Sequence, residues 1–100
     1  MTKSQVAQIR PEALIVAQSF GNRFTTERFI RRFARRFPKS WRLLVRTYGR
    51  PGKDAGTYYT AASRLAHMLL AHANRGHITR VGYVNASPAW GARWVLQFKP

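Results

Sequence analysis

Residues 57–80, TYYTAASRLAHMLLAHANRGHITR, decide how this chain reads. Between Thr57 and Asn74, Ala62, Leu65, Ala66, Leu69 and Ala73 recur at three- and four-residue spacing, which predicts a long helix with one buried stripe. Arg75-Gly76 closes it, since glycine adopts at little cost the backbone conformation that ends helices. From His77 the pattern becomes that of a strand running to Val84. A second strand, Arg93 to Lys99, sets Trp94, Leu96 and Phe98 against Arg93, Val95 and Gln97. Between the strands lies Asn85-Ala86-Ser87-Pro88-Ala89-Trp90-Gly91-Ala92, too long for a tight hairpin turn.

Upstream the text is helical. Val6, Ile9, Ala13, Leu14, Ala17 and Phe20 keep helical spacing, and Pro11 places the start of the regular helix, leaving residues 1–10 as a flexible lead-in. Gly21-Asn22 ends that helix. Thr25 is an N-cap, Glu27 sits in a first turn where the helix dipole favours an anion, and Phe29, Ile30, Phe33 and Phe37 form an apolar stripe. Pro38 breaks this helix. Ser40 caps a short one, Trp41 to Tyr48, stopped by Gly49, and residues 50–56 form a turn-rich basic loop. There is no internal repeat. The 100 residues, 45% hydrophobic and 13% aromatic, read as one α+β, mostly helical domain and not as a disordered basic tail.

Eighteen Lys and Arg against three Asp and Glu give a formal charge of +15, and fourteen of the cations are Arg. Self-repulsion at that charge destabilises a compact chain, so an anionic partner is expected, a nucleic acid before any other. A guanidinium forks bidentately onto phosphate and the guanine edge and stacks on bases. A GC-rich genome accounts for Arg in place of Lys but not for the scarcity of acids. On the Phe-striped helix, Arg28, Arg31, Arg32, Arg35 and Arg36 cover the remaining face, and only Glu27 offers an i,i+4 pair. An ordinary solvated face alternates signs, so the five are read as a phosphate-contacting surface. Such a helix also suits an anionic membrane, but its Phe stripe is needed for the core of so small a domain, and no membrane partner is expected.

The order of elements, with residues 59–80 running through Ala62, Leu65 and Leu69 into Arg75-Gly76-His77-Ile78-Thr79-Arg80, and Arg93-Trp94-Val95-Leu96 returning, resembles the winged helix-turn-helix family. The likeness covers about three-quarters of the chain, with an additional N-terminal helix. The joint from Gly49 to Gly56 is longer than the family's tight turn and holds Pro51. The resemblance implies a two-stranded β-hairpin wing and a recognition helix, residues 57–74, in the major groove of double-stranded DNA. Thr57, Tyr59, Thr60, Ser63, Arg64 and His67 are then the candidates for base edges and nearby phosphates, with Arg64 first for direct readout. Thr57 also suits an N-cap. Arg80, Asn85, Ser87 and Arg93 are the wing's candidates for the minor groove or backbone, and Arg50 and Lys53 are the loop's. Trp90 reads as a lid folded on the core in preference to an exposed aromatic.

Enzyme chemistry is not expected. Glu12, Glu27 and Asp54 are too few for a paired acid/base site, and His67 and His72, five apart, miss the i,i+4 spacing of a metal face. The loop at residues 49–56 lacks the order of a nucleotide cradle, and cysteine is absent. No metal or cofactor is expected. The leading expectation is a small transcriptional regulator, phage- or mobile-element-like, in the cytoplasm or on a bacterial nucleoid. A phage-type inhibitor docking on an acidic host protein is the second reading, and an RNA-binding structural protein is the third. The apolar surplus of the first helix suits a homodimer.

Overall fold

The computed structural model describes residues 2–49 and 60–100. Helix α1, Lys3–Gln18, begins well before Pro11, correcting the expected flexible lead-in. Thr2 and Gln5 form a reciprocal capping box: the Thr2 hydroxyl accepts from the Gln5 N–H at 3.2 Å, and Gln5 Oε1 accepts from the Thr2 N–H at 2.9 Å. Pro11 stands inside the helix on its exposed side. An interior proline costs about 3 kcal/mol. Burying Ile9 to 1% exposure returns about 1.5–3 kcal/mol, and the cap about 1 more, so the two together are of the same size as the break.

Strand β1, Phe24–Thr25, lies outside the expected two-stranded hairpin and completes a sheet of three. It pairs antiparallel with the last strand, Phe24 opposite Phe98 and Thr25 opposite Gln97. Thr25 is also the N-cap of α2, Thr26–Arg36, its hydroxyl accepting from the Arg28 N–H at 3.3 Å. The next hydroxyl, Thr26, donates to the Leu96 carbonyl at 3.3 Å and fixes the first turn of α2 on the sheet.

Helix α3, Pro38–Tyr48, starts on the proline that ends α2, where the missing N–H is one a helix leaves unbonded anyway. Ser40 therefore lies inside the helix instead of capping it. Its hydroxyl donates to Glu12 at 2.6 Å, joining α3 to α1. Helix α4, Ala61–Asn74, is capped by Thr60, which accepts from the Ser63 N–H at 3.2 Å. The expected first residues of this helix, Thr57 to Tyr59, lie outside the described residues.

After Gly76, at φ 80°, come β2, Thr79–Asn85, and β3, Trp94–Lys99, each starting later than the sequence pattern suggested. The sheet order is β1-β3-β2, antiparallel throughout. A bulge between Arg80 and Gly82 leaves Val81 unpaired, with Gly82 at φ 148°. Positions three apart on a regular strand face opposite sides, and the extra residue brings Arg80 and Tyr83 onto the same one. A 3-10 turn, Pro88–Trp90, occupies the hairpin loop, and Trp90 packs half-buried against the core, in keeping with the lid reading.

All six phenylalanines form one connected series. Phe20 stacks on Phe24 at 4.3 Å; Phe24 meets Phe98 and Phe29 at 6.0 and 6.4 Å; Phe33 bridges Phe29 and Phe37 at 6.2 and 5.7 Å. Leu44, Leu65 and Leu69 close the core from α3 and α4. The Phe stripe of α2 thus faces inward, and no helix among the described residues is long and apolar enough to cross a membrane. His72 is buried with it, its Nε2 donating to the Arg10 carbonyl at 2.8 Å.

Phe33→Ala is expected to lower stability by about 3–5 kcal/mol, because a fully buried ring in contact with two others leaves a cavity. Urea unfolding followed by circular dichroism measures it. A loss below about 1 kcal/mol would show that the core does not depend on this series.

Candidate nucleic-acid interface

The arginines of α2 fall into two rows. Arg28, Arg32 and Arg36, four apart, lean on aromatic rings: Arg28 and Arg32 lie 5.5 and 3.8 Å from the Phe20 centroid, and Arg36 lies 5.8 Å from that of Phe37. Arg32 also donates to the Ser19 carbonyl and hydroxyl at 3.4 Å. Each such stack is worth about 0.5–1 kcal/mol at a surface. That is enough to bias the guanidinium's orientation while leaving N–H groups free to donate outward. Arg31 and Arg35 form the second row, both exposed.

Glu27 organises one end of this surface. It pairs with Arg31 at 2.9 Å, the one ion pair among the described residues. It also accepts from the Ser87 hydroxyl at 2.8 and 2.7 Å, so Ser87, expected to meet phosphate, ties the hairpin loop to α2. With Glu12 engaged by Ser40, both described carboxylates are occupied. The remaining cations of α2 and α3 have no acidic partner among the described residues.

Helix α3 adds cations that were not among the sequence candidates. Lys39, Arg42 and Arg46 are exposed, and their spacing of three and four places them on one face. The spacing is legible in the sequence, but it is overshadowed there by the apolar neighbours Leu44 and Val45.

Helix α4 is largely buried. Thr60 serves as its cap, Ser63 is half-buried beside the hairpin loop, and His67 is exposed. Arg64 turns towards α1 and α3: its guanidinium lies 5.9 Å from the Tyr48 centroid and its buried Nε has no hydrogen-bond partner among the described residues. It lines a cleft of about 520 Å³ with Lys3 and Arg10. Arg50, Lys53, Thr57 and Tyr59 lie outside the described residues.

On the hairpin, Arg80, Asn85 and Arg93 are all exposed. Arg80 stacks 5.8 Å from the Tyr83 centroid and Arg93 5.5 Å from that of Trp94. Tyr83 and Trp94 were not among the sequence candidates. No group of three metal-ligating side chains gathers among the described residues. Comparisons with known proteins find no matching family profile, no similar curated protein and no similar solved structure.

Ser87→Ala is expected to free the hairpin loop without changing net charge. Hydrogen exchange of the Trp90 amide, which bonds back to the Ser87 carbonyl at 3.0 Å, should quicken, while global stability falls by about 1–2 kcal/mol. Unchanged exchange in residues 86–93 would show that Glu27 does not hold the loop.

Proposed function

We propose that this chain is a small double-stranded-DNA-binding protein that works in the manner of a winged helix-turn-helix regulator. The observation that carries the reading is the outer surface of α2 and α3, covered by Arg28, Arg31, Arg32, Arg35, Arg36, Lys39, Arg42 and Arg46, with both described carboxylates already engaged. Phosphate oxygens supply the missing counter-charge, and counterions released from DNA make such binding favourable. The order of elements after α1, with a long helix followed by a hairpin, supports the winged-helix likeness. A protein of this kind works in the cytoplasm or on a bacterial nucleoid.

Within this reading, α4 presents Ser63 and His67 to base edges, and the hairpin presents Arg80, Asn85 and Arg93 to the minor groove or backbone. Arg64 joins Lys3 and Arg10 in receiving a phosphate beside the start of α1. Few polar side chains of α4 are exposed, so phosphate binding contributes most of the affinity and base readout only a little. The alternative, docking on an acidic protein, draws on the same charge, but the arginines are spread over two helices and a hairpin, a footprint suited to a polyanion.

Changing Arg31 and Arg35 together to Gln should weaken binding to all duplex sequences alike. It should also lower the slope of log K against log salt by about one to two units, about 0.9 for Arg35 and up to as much again for Arg31, which exchanges Glu27 for a phosphate. Fluorescence anisotropy on labelled duplexes across a salt series measures both. An unchanged slope would reduce the row to a solvated face, and no duplex binding by the unaltered protein would overturn the reading.

In a random duplex pool, Ser63→Ala with His67→Ala should flatten any selected base preference while sparing general affinity. Reading one base pair supplies at most about 1–3 kcal/mol of discrimination. Equal weakening of selected and unselected binding would assign both residues to phosphate.

A further inference from the structure

We propose that Tyr83 and Trp94 form a seat for unpaired nucleotides, so that the hairpin favours a junction between duplex and single-stranded DNA over continuous duplex. The inference rests on the DNA-binding reading above and adds to it a preferred form of DNA.

These two side chains are 63% and 50% exposed, a large apolar outlay of surface in a domain that buries every phenylalanine at least in part. The strand register puts them on one face. Tyr83 lies opposite Leu96 and Asn85 opposite Trp94, so the rings occupy diagonal cross-strand positions, within mutual reach of large side chains. Further along the same face, Leu96 packs on the core and Phe98 is fully buried. The face is therefore interior at one end and open to solvent at the other. Between the two exposed rings is an apolar cleft of about 320 Å³.

Charge selects the occupant. Arg80 lies against the Tyr83 ring and Arg93 against the Trp94 ring, and neither cation has an ion-pair partner among the described residues. Each ring that lines the cleft thus has a cation beside it, outside the cleft's own lining. A nucleotide matches both, with a planar base to stack and a phosphate to accept from the guanidinium groups. A base inside a duplex has its faces covered by its neighbours, whereas an unpaired base offers both faces to the rings. The bulge at Val81 supports the assignment, because without it Arg80 and Tyr83 would face opposite sides.

The test uses the full chain and three DNA probes: a blunt duplex, the same duplex carrying a short thymidine tail, and the tail strand alone. The unaltered protein should bind the tailed duplex roughly tenfold or more tightly than the blunt one, the scale of stacking one or two bases on aromatic side chains. Tyr83→Ala with Trp94→Ala should erase that gap and leave blunt-duplex affinity unchanged. Tyr83→Phe with Trp94→Phe should retain it, since both keep a ring. A 2-aminopurine at the first tail position reports seating directly, through a change in emission on binding the unaltered protein that the alanine pair abolishes. Equal binding of blunt and tailed duplex, a gap that survives the alanine pair, or unaltered 2-aminopurine emission would each overturn the seat while leaving duplex binding intact. Failure to bind any of the three probes would overturn the DNA reading itself.

Discussion

Phe24 against Phe98 is the contact on which the arrangement depends. It is a backbone pairing, β1 on β3, and an aromatic contact at 6.0 Å, and it joins the connection after α1 to the far end of the chain. Through Phe20 it reaches the end of α1, and through Phe29 and Phe33 it runs the length of α2. The same series fixes the outside of the molecule. Because Phe20 is held by Phe24, it offers its ring to Arg28 and Arg32, and the cations of α2 acquire directions from the core beneath them.

The surface is correspondingly one-sided in charge. An ordinary helix face relieves like-charge repulsion with acids four residues away, worth about 0.2–0.5 kcal/mol a pair. Here one such pair exists among the described residues, Glu27 with Arg31, and Glu27 divides itself between that arginine and Ser87. The other carboxylate, Glu12, holds α3 on α1. Both described acids therefore serve internal joints, which leaves the fold's own electrostatics unrelieved and its outer faces available to a polyanion.

Much of the frame is legible in the sequence because periodicity reports burial. The stripes of α2 and α4, the cap at Thr25 and the hairpin with Trp90 turned inward all follow from spacing and turn residues. The start of α1 is misread although its signal is present: Thr2-Lys3-Ser4-Gln5 has capping-box spacing, but Pro11 weighs more in a reading of the sequence than it does in the fold, where Ile9 packs against the core. Strand β1 is not legible, since two residues carry no alternation. Ser87 reads as a phosphate donor because its partner Glu27 stands 60 residues away. Along β3 burial departs from the expected alternation, with Trp94 half-exposed and its neighbour Val95 buried as well as Phe98. The exposure of Trp94 is set by tertiary packing, which no single strand's pattern contains.

The antiparallel ladder that closes the sheet has a consequence for the order of events in time. Thr26 bonds to Leu96, 70 residues further along, and the Phe24–Phe98 pairing beside it is equally non-local. Closing so long a loop carries an entropic cost before any contact rewards it, so this step forms late and slows folding relative to an all-helical bundle of the same size. During synthesis α1, α2 and α3 leave the ribosome well ahead of β3. For that interval Phe24 lacks its partner Phe98, and like-charge repulsion from the arginines of α2 opposes association through the uncovered ring.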